Sequence, residues 1–100
     1  MKENLIKKKT FSFALMAMEV SRSLIKEEKE FVLSKQLMRS GTAIGALVRE
    51  SEQAESKKDI IHKLANALKE ANETEYWIDL IIAGKYLNEK NFNDIQIEIK

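Results

Sequence analysis

The sequence predicts an all-α protein, an antiparallel up-down four-helix bundle that forms one domain over residues 1–100. The chain contains no proline and only three glycines, so it has few of the residues that form tight hairpin turns. Apolar residues recur at helical spacing in long segments. Because the joins between these segments are short, neighbouring helices are expected to run antiparallel.

The first helix is predicted over residues 10–26 and has apolar side chains on two nearly opposite faces. The face taken as the core stripe carries Phe11, Leu15, Met18 and Ile25. The opposite face carries Phe13, Ala17, Val20 and Leu24. Residues 26–30 are all charged and are expected to form the connection to the second helix.

The second helix is predicted over residues 33–52. Its inner stripe is expected to contain Leu33, Leu37, Ser40, Ile44, Leu47, Val48 and Ser51. Gly41 and Gly45 lie four residues apart within this helical pattern, and close packing of another helix explains them better than a phosphate-binding loop does. A small residue at such a position lets a second backbone approach.

The third helix is predicted over residues 56–87, with Ser56 and Asp59 forming a capping box at its start. Its core stripe is expected to contain Ile60, Leu64, Ala67, Leu68, Ala71, Ile78 and Ile82. A short or truncated fourth helix is predicted over residues 92–100, with Asn91 as its N-cap. The alternating pattern of residues 95–99 also suits a strand, but no second strand is evident to pair with it.

Apolar side chains outside the predicted core stripes indicate a homo-oligomer. The candidate interface residues are Phe13, Val20, Leu24, Tyr76, Trp77 and Leu80. Contiguous exposed apolar surface usually marks an interface, and tyrosine and tryptophan are favoured at interface centres. A closed ring or a dimer would bury these faces. The alternative is a broad core in which one helix is buried on two sides.

The composition excludes most enzymatic and metal chemistry. There is no cysteine, and one histidine, His62, cannot by itself form a zinc site. We therefore expect no enzyme activity, no metal, no cofactor and no small-molecule substrate. Glu75 projects into the predicted apolar stripe, so a buried polar network with Gln36, Arg39 and Ser40 is expected instead. No segment resembles a membrane span or a signal peptide, which favours the cytoplasm.

Positive charge is concentrated at the N-terminus. Four lysines and one glutamate give the first ten residues a charge of +3, and the net charge of +1 leaves −2 for the other ninety. Such an arm usually aids solubility, but several copies in a ring could bind phosphates together. The candidate nucleic-acid-binding residues are Lys7, Lys8, Lys9, Arg22, Lys35, Arg39 and Arg49.

Three stretches carry a resemblance to a known family. Residues 36–46 (QLMRSGTAIGA), 50–63 and 67–77 (ALKEANETEYW) resemble the bacterial four-helix-bundle family related to proteins encoded in intervening sequences of 23S ribosomal RNA genes. The similarity covers roughly residues 31–87. At Leu47 the chain departs from relatives, which generally carry asparagine there. The resemblance implies an up-down bundle that forms rings, often pentamers, with no established enzymatic activity.

The resemblance also bears on partners. A distant branch of the family resembles the accessory subunit of the reverse transcriptase of diversity-generating retroelements, in which bundle rings bind RNA and protein. The motif positions imply structural or interface roles for Arg39, Ser40, Glu50, Glu70 and Glu73. Together these observations predict a non-enzymatic oligomeric scaffold or adaptor that associates with RNA or an RNA-processing partner. The alternative is a protein-binding module with no nucleic-acid role.

Overall fold

The computed structural model describes residues 2–84 and contains three α-helices and no strand in that range. These are α1 (Lys2–Glu28), α2 (Val32–Glu52) and α3 (Lys57–Ala83). The predicted all-α class is confirmed. The fourth segment predicted at residues 92–100, and residues 85–87 of the predicted third helix, lie outside the described residues.

Helix α1 is longer than predicted at both ends. It begins at Lys2 rather than at residue 10 and continues to Glu28, because lysine and glutamate are good helix formers even without an apolar pattern. The next residue, Lys29, has a left-handed φ of 55° and lies just after the end of the helix. The Glu30 N–H then donates to the Leu24 carbonyl at 3.0 Å.

At the start of α2 and of α3, a side-chain oxygen accepts a hydrogen bond from a backbone N–H of the first turn. The Glu30 carboxylate accepts a hydrogen bond from the Leu33 N–H at 2.6 Å. Ser56 Oγ accepts from the Asp59 N–H at 3.1 Å, which confirms the predicted cap of the third helix. Each contact satisfies a backbone donor that has no partner within its helix.

Helix α2 is the middle helix of the three. Both α1 and α3 pack along it, and no Cα of α1 lies within 8 Å of a Cα of α3. Side chains of all three helices nevertheless meet in one buried core. Its members are Phe13, Ala17, Val20, Leu24, Leu37, Ile44, Ile78 and Ile81.

The predicted core face of α1 is wrong. Phe13, Val20 and Leu24, predicted to be interface residues, are buried in the core of the chain itself. On the opposite face Phe11, Leu15 and Ile25 are exposed, and Met18 is half-buried. The two faces have similar apolar content, so helical spacing alone could not decide which one meets α2.

Small side chains explain the choice of face. A methyl group added at Gly41 would lie 2.7 Å from Ala17 Cβ, and one added at Gly45 would lie 3.4 Å from Thr10 Oγ1. Ser21 Oγ, one turn beyond Ala17, donates to the Ser34 carbonyl at 3.1 Å. The face of α1 with alanine and serine thus lets the α2 backbone approach, and Phe13 and Leu24 are buried beside the contact.

The other two stripes are predicted with unequal success. In α2 the centre of the predicted stripe is buried: Leu37, Ser40, Ile44 and Val48. In α3 the buried residues are Ala67, Thr74, Ile78 and Ile81. The remaining stripe residues in the first half of α3, which were predicted to be in the core, are exposed: Ile60, Leu64 and Leu68. Ile60 and Leu64 line a groove together with residues of α1 and α2, which border this part of α3 without burying it.

Candidate functional site

The N-terminal lysines form part of a helix rather than a free arm. Lys7, Lys8 and Lys9 lie in α1. Consecutive helical residues are rotated by about 100°, so these three side chains leave the helix in different directions. Lys7 reaches α2 and pairs with Glu52 at 3.1 Å. Lys8 and Lys9 are exposed and form no ion pair with a described residue.

Two of these lysines meet an arginine around an exposed aromatic ring. Lys7, Lys8, Phe11 and Arg49 line a groove of about 290 Å³ between α1 and α2, called here the Phe11 groove. The Arg49 guanidinium carbon lies 5.6 Å from the centre of the Phe11 ring, a cation–π distance. Phe11 remains 53% exposed. The antiparallel packing of α1 and α2 produces this cluster.

Phe11 was missed as a site residue because it was assigned to the core. Its position three and four residues after Lys8 and Lys7 is a local signal, since such residues share one side of a helix. The part played by Arg49 required the register of α1 against α2, which no local pattern supplies. Lys7, Lys8 and Arg49 are the nucleic-acid candidates that the structure brings together at this groove.

The remaining basic candidates lie elsewhere. Arg22 and Lys35 are exposed and form no ion pair within residues 2–84. Arg39 is committed within the chain: one terminal nitrogen pairs with Glu70 at 3.3 Å and the other with Glu73. It is therefore less available to an external phosphate.

The polar network predicted around Arg39 has different members from those expected and is not buried. Arg39 Nε donates to Gln36 Oε1 at 3.3 Å, and the Arg39 side chain is 48% exposed. Ser40 is buried, but its hydroxyl donates to the Gln36 carbonyl of its own helix at 2.9 Å. Glu75 is not a partner of Arg39, because it lies about 140° around α3 from Glu70.

Other positions of the family-like motif also connect α2 to α3. Lys63 pairs with Glu50 at 3.1 Å, and Arg39 pairs with Glu70 and Glu73 as described above. Four of the five motif residues thus act within the chain as ion-pair partners across one helix–helix interface. Partly exposed pairs of this kind contribute little stability each, but they favour one register of the two helices.

The interface candidates on α3 differ in accessibility. Tyr76 and Leu80 are exposed. Trp77 is half-buried: its Nε1–H donates to Glu73 Oε1 at 3.2 Å, and its ring meets the Tyr76 ring edge-on at 5.3 Å between centroids. Trp77 is therefore a structural residue as well as a neighbour of the exposed patch.

Within the described residues, no group of three or more histidine, aspartate or glutamate side chains could hold a metal ion. His62 is exposed, and its Nε2 lies 3.3 Å from Asn66 Nδ2. The same part of the chain contains no helix long and apolar enough to cross a membrane.

Comparison with known proteins gives the chain its relatives. No curated protein matches it. A similar solved structure is the crystal structure of a protein with unknown function from the S23 ribosomal protein family of Bacteroides thetaiotaomicron. The two chains are 48% identical and superpose with a TM-score of 0.96 over 99% of this chain and 88% of that one. The family model for the 23S rRNA-intervening sequence protein matches residues 2–100. The chain therefore belongs to the 23S rRNA-intervening sequence protein family.

Proposed function

We propose that the protein is a non-enzymatic, homo-oligomeric helical scaffold of the cytoplasm that associates with RNA. The observation that carries the proposal is the exposed apolar side of α3. Ile61, Leu68 and Tyr76 are each more than half exposed, and Leu80 is exposed beside them. Monomers seldom present a large contiguous apolar patch.

Burial of this side of α3 against another chain would remove apolar surface from water, which yields about 25 cal/mol for each Å². Tyr76 supplies a rigid aromatic contact with a polar tip, a side chain enriched at the centre of interfaces. The assembly that we propose is a closed ring of five chains, the form that the family resemblance implies. Each unit would be a four-helix bundle, with its fourth helix at residues 92–100.

The measurement of mass in solution tests the assembly. We expect a multiple of 11.5 kDa, and we expect Tyr76→Asp combined with Leu80→Asp to lower it. The matched control is Ser12→Asp combined with Ala46→Asp, which adds the same charge at exposed positions of α1 and α2. A wild-type mass of one chain at 100 µM contradicts the proposal. So does an equal mass for the interface variant and the wild type.

RNA association is supported by the cations of the Phe11 groove, of which a ring would carry several copies. We expect binding of RNA at low salt, with affinity that falls steeply as the salt concentration rises. A Lys8→Ala, Lys9→Ala double variant should flatten that dependence. Lys7 should contribute less, because Glu52 already neutralises it.

A protein-binding module with no nucleic-acid role is the second candidate, and the exposed Tyr76 and Leu80 favour it. Absence of RNA binding at low salt, in a protein that still forms oligomers, would select this candidate over RNA association. The mass in solution thus tests the oligomeric scaffold, and the RNA-binding measurement tests its ligand.

A further inference from the structure

We propose that the Phe11 groove binds single-stranded nucleic acid, with one base stacked on the Phe11 ring and the adjoining phosphates held by Lys8 and Arg49. This inference rests on the RNA association proposed above. It adds where the RNA binds, that the RNA is single-stranded, and which residues contact the base and which the phosphates. The four residues that line the groove carry it: Lys7, Lys8, Phe11 and Arg49.

Phe11 presents an exposed aromatic ring on a cationic surface. Phe11 is 53% exposed although it is fully apolar. Arg49 lies 5.6 Å from the ring centre and shields part of it. A stacked base would cover more of the ring, and every base has a face that can stack on an aromatic side chain.

Two cations at the groove, Lys8 and Arg49, have no ion-pair partner among the described residues. Arg49 makes no hydrogen bond or ion pair with a described residue other than its helical backbone bonds, and Lys8 makes no ion pair with one. Lys7 contributes indirectly: it pairs with Glu52 at 3.1 Å and offsets an acid that would repel phosphate. A guanidinium group and an ammonium group beside one ring match a chain of alternating bases and phosphates.

Stacking on Phe11 depends on whether the nucleic acid is single-stranded or duplex. In a duplex the base faces are covered by their neighbours, so a stacking contact with a surface side chain requires an unpaired, unstacked base. A volume of about 290 Å³ lies at the low end for ligand sites and suits one flat ring. The groove therefore fits a single strand better than a duplex.

The experiment measures binding of a labelled 12-nucleotide single-stranded RNA by fluorescence anisotropy at several salt concentrations. We expect Phe11→Ala to weaken binding by about 5- to 150-fold, the range for loss of one base–aromatic stack. Phe11→Leu keeps apolar volume but removes the flat ring, so it should weaken binding as well. Phe11→Tyr should retain affinity within about twofold, because it keeps the ring.

The matched control is Phe31→Ala. Phe31 is 60% exposed and lines a second groove between α1 and α2. One cation of that groove, Arg39, is already paired with Glu70 and Glu73. We expect Phe31→Ala to bind RNA within about twofold of the wild type, since no stack is assigned to it.

The salt dependence separates stacking from charge. Lys8→Ala and Arg49→Ala should each reduce the slope of log affinity against log salt by about 0.7, the value for one lost phosphate contact on a single strand. Phe11→Leu should lower affinity without changing the slope. Lys58→Ala, which removes an exposed lysine from α3, is the control for charge.

The outcomes distinguish this inference from the proposed function. If the wild type binds no RNA at low salt, both the RNA association and this inference are wrong. If the wild type binds RNA but Phe11→Ala and Phe11→Leu bind as tightly as Phe31→Ala, only this inference is wrong. Dextran sulfate is a polyanion without bases, so it competes with RNA only for the charged contacts. If it displaces RNA equally well from the wild type and from Phe11→Leu, the stacking role is wrong. Each variant should keep the oligomeric mass that the wild type has in solution. Phe11→Leu is chosen because it keeps an apolar side chain at this position.

Discussion

Substitution of Gly41 by alanine should destabilise the protein, whereas the same substitution at Gly45 should stabilise it. Both glycines lie within α2, where replacement by alanine gains about 0.5–1 kcal/mol of backbone entropy in either case. The difference arises from space. The new methyl group would lie 2.7 Å from Ala17 Cβ at position 41, but 3.4 Å from Thr10 Oγ1 at position 45.

The cost at position 41 follows from the rigidity of the neighbour. Ala17 Cβ has no rotamer that moves it away, so α1 and α2 must separate, and such overpacking costs about 1–3 kcal/mol. The contact at position 45 is an ordinary van der Waals distance and carries no such cost. The free energies of unfolding of the two variants should therefore differ by about 1–3 kcal/mol, with Gly45→Ala the more stable.

Urea unfolding followed by circular dichroism measures this difference, at one chain concentration because self-association raises apparent stability. An Ala17→Gly background supplies the control, since removal of the Ala17 methyl makes room for the new one. In that background Gly41→Ala should be stabilising. Equal shifts of the unfolding midpoint for Gly41→Ala and Gly45→Ala would refute the packing argument, as would an unchanged cost of Gly41→Ala when residue 17 is glycine.

Three further predictions concern two helix ends and one side-chain hydrogen bond. Ser56→Ala should lower the free energy of unfolding by about 1 kcal/mol, because it removes the cap of α3; Ser56→Asp, which keeps an acceptor, should not. Lys29→Gly should raise that free energy by about 0.5–1 kcal/mol in the same urea assay, since φ is 55° there, and no gain would show that the left-handed backbone is unstrained. Glu73→Ala should change the fluorescence of Trp77, whose Nε1–H donates to that carboxylate, whereas Glu70→Ala should not; identical spectra for the two variants would contradict the assigned contact.

Helix positions were readable from the sequence, but helix orientation was only partly so. The spacing in α2 identified Leu37, Ile44 and Val48 as core residues because that helix is buried along one stripe. In α1 two apolar faces competed, and the decision depended on which face allows the α2 backbone to approach. The deciding contact is between the small residues Ala17 and Gly41, which lie on different helices.

The candidate site shows the same limit. The basic residues were identified individually from composition, and their locations depend on the packing of the helices. Arg39 forms ion pairs with Glu70 and Glu73, and Arg49 forms a cation–π contact with Phe11. These partners lie on other helices, so only the register of the helices decides which cation is committed and which is available. A charge count cannot carry that information.

The position of α2 between two helices whose backbones do not meet has a consequence for how the chain folds. The helices whose backbones are in contact follow one another along the chain, so the loops that must close are short, which favours rapid folding. The absence of proline removes the slow phase caused by its isomerisation. During synthesis, a nascent chain that has reached the end of α2 already holds both partners of the first interface. The α1–α2 hairpin can therefore form before α3 leaves the ribosome.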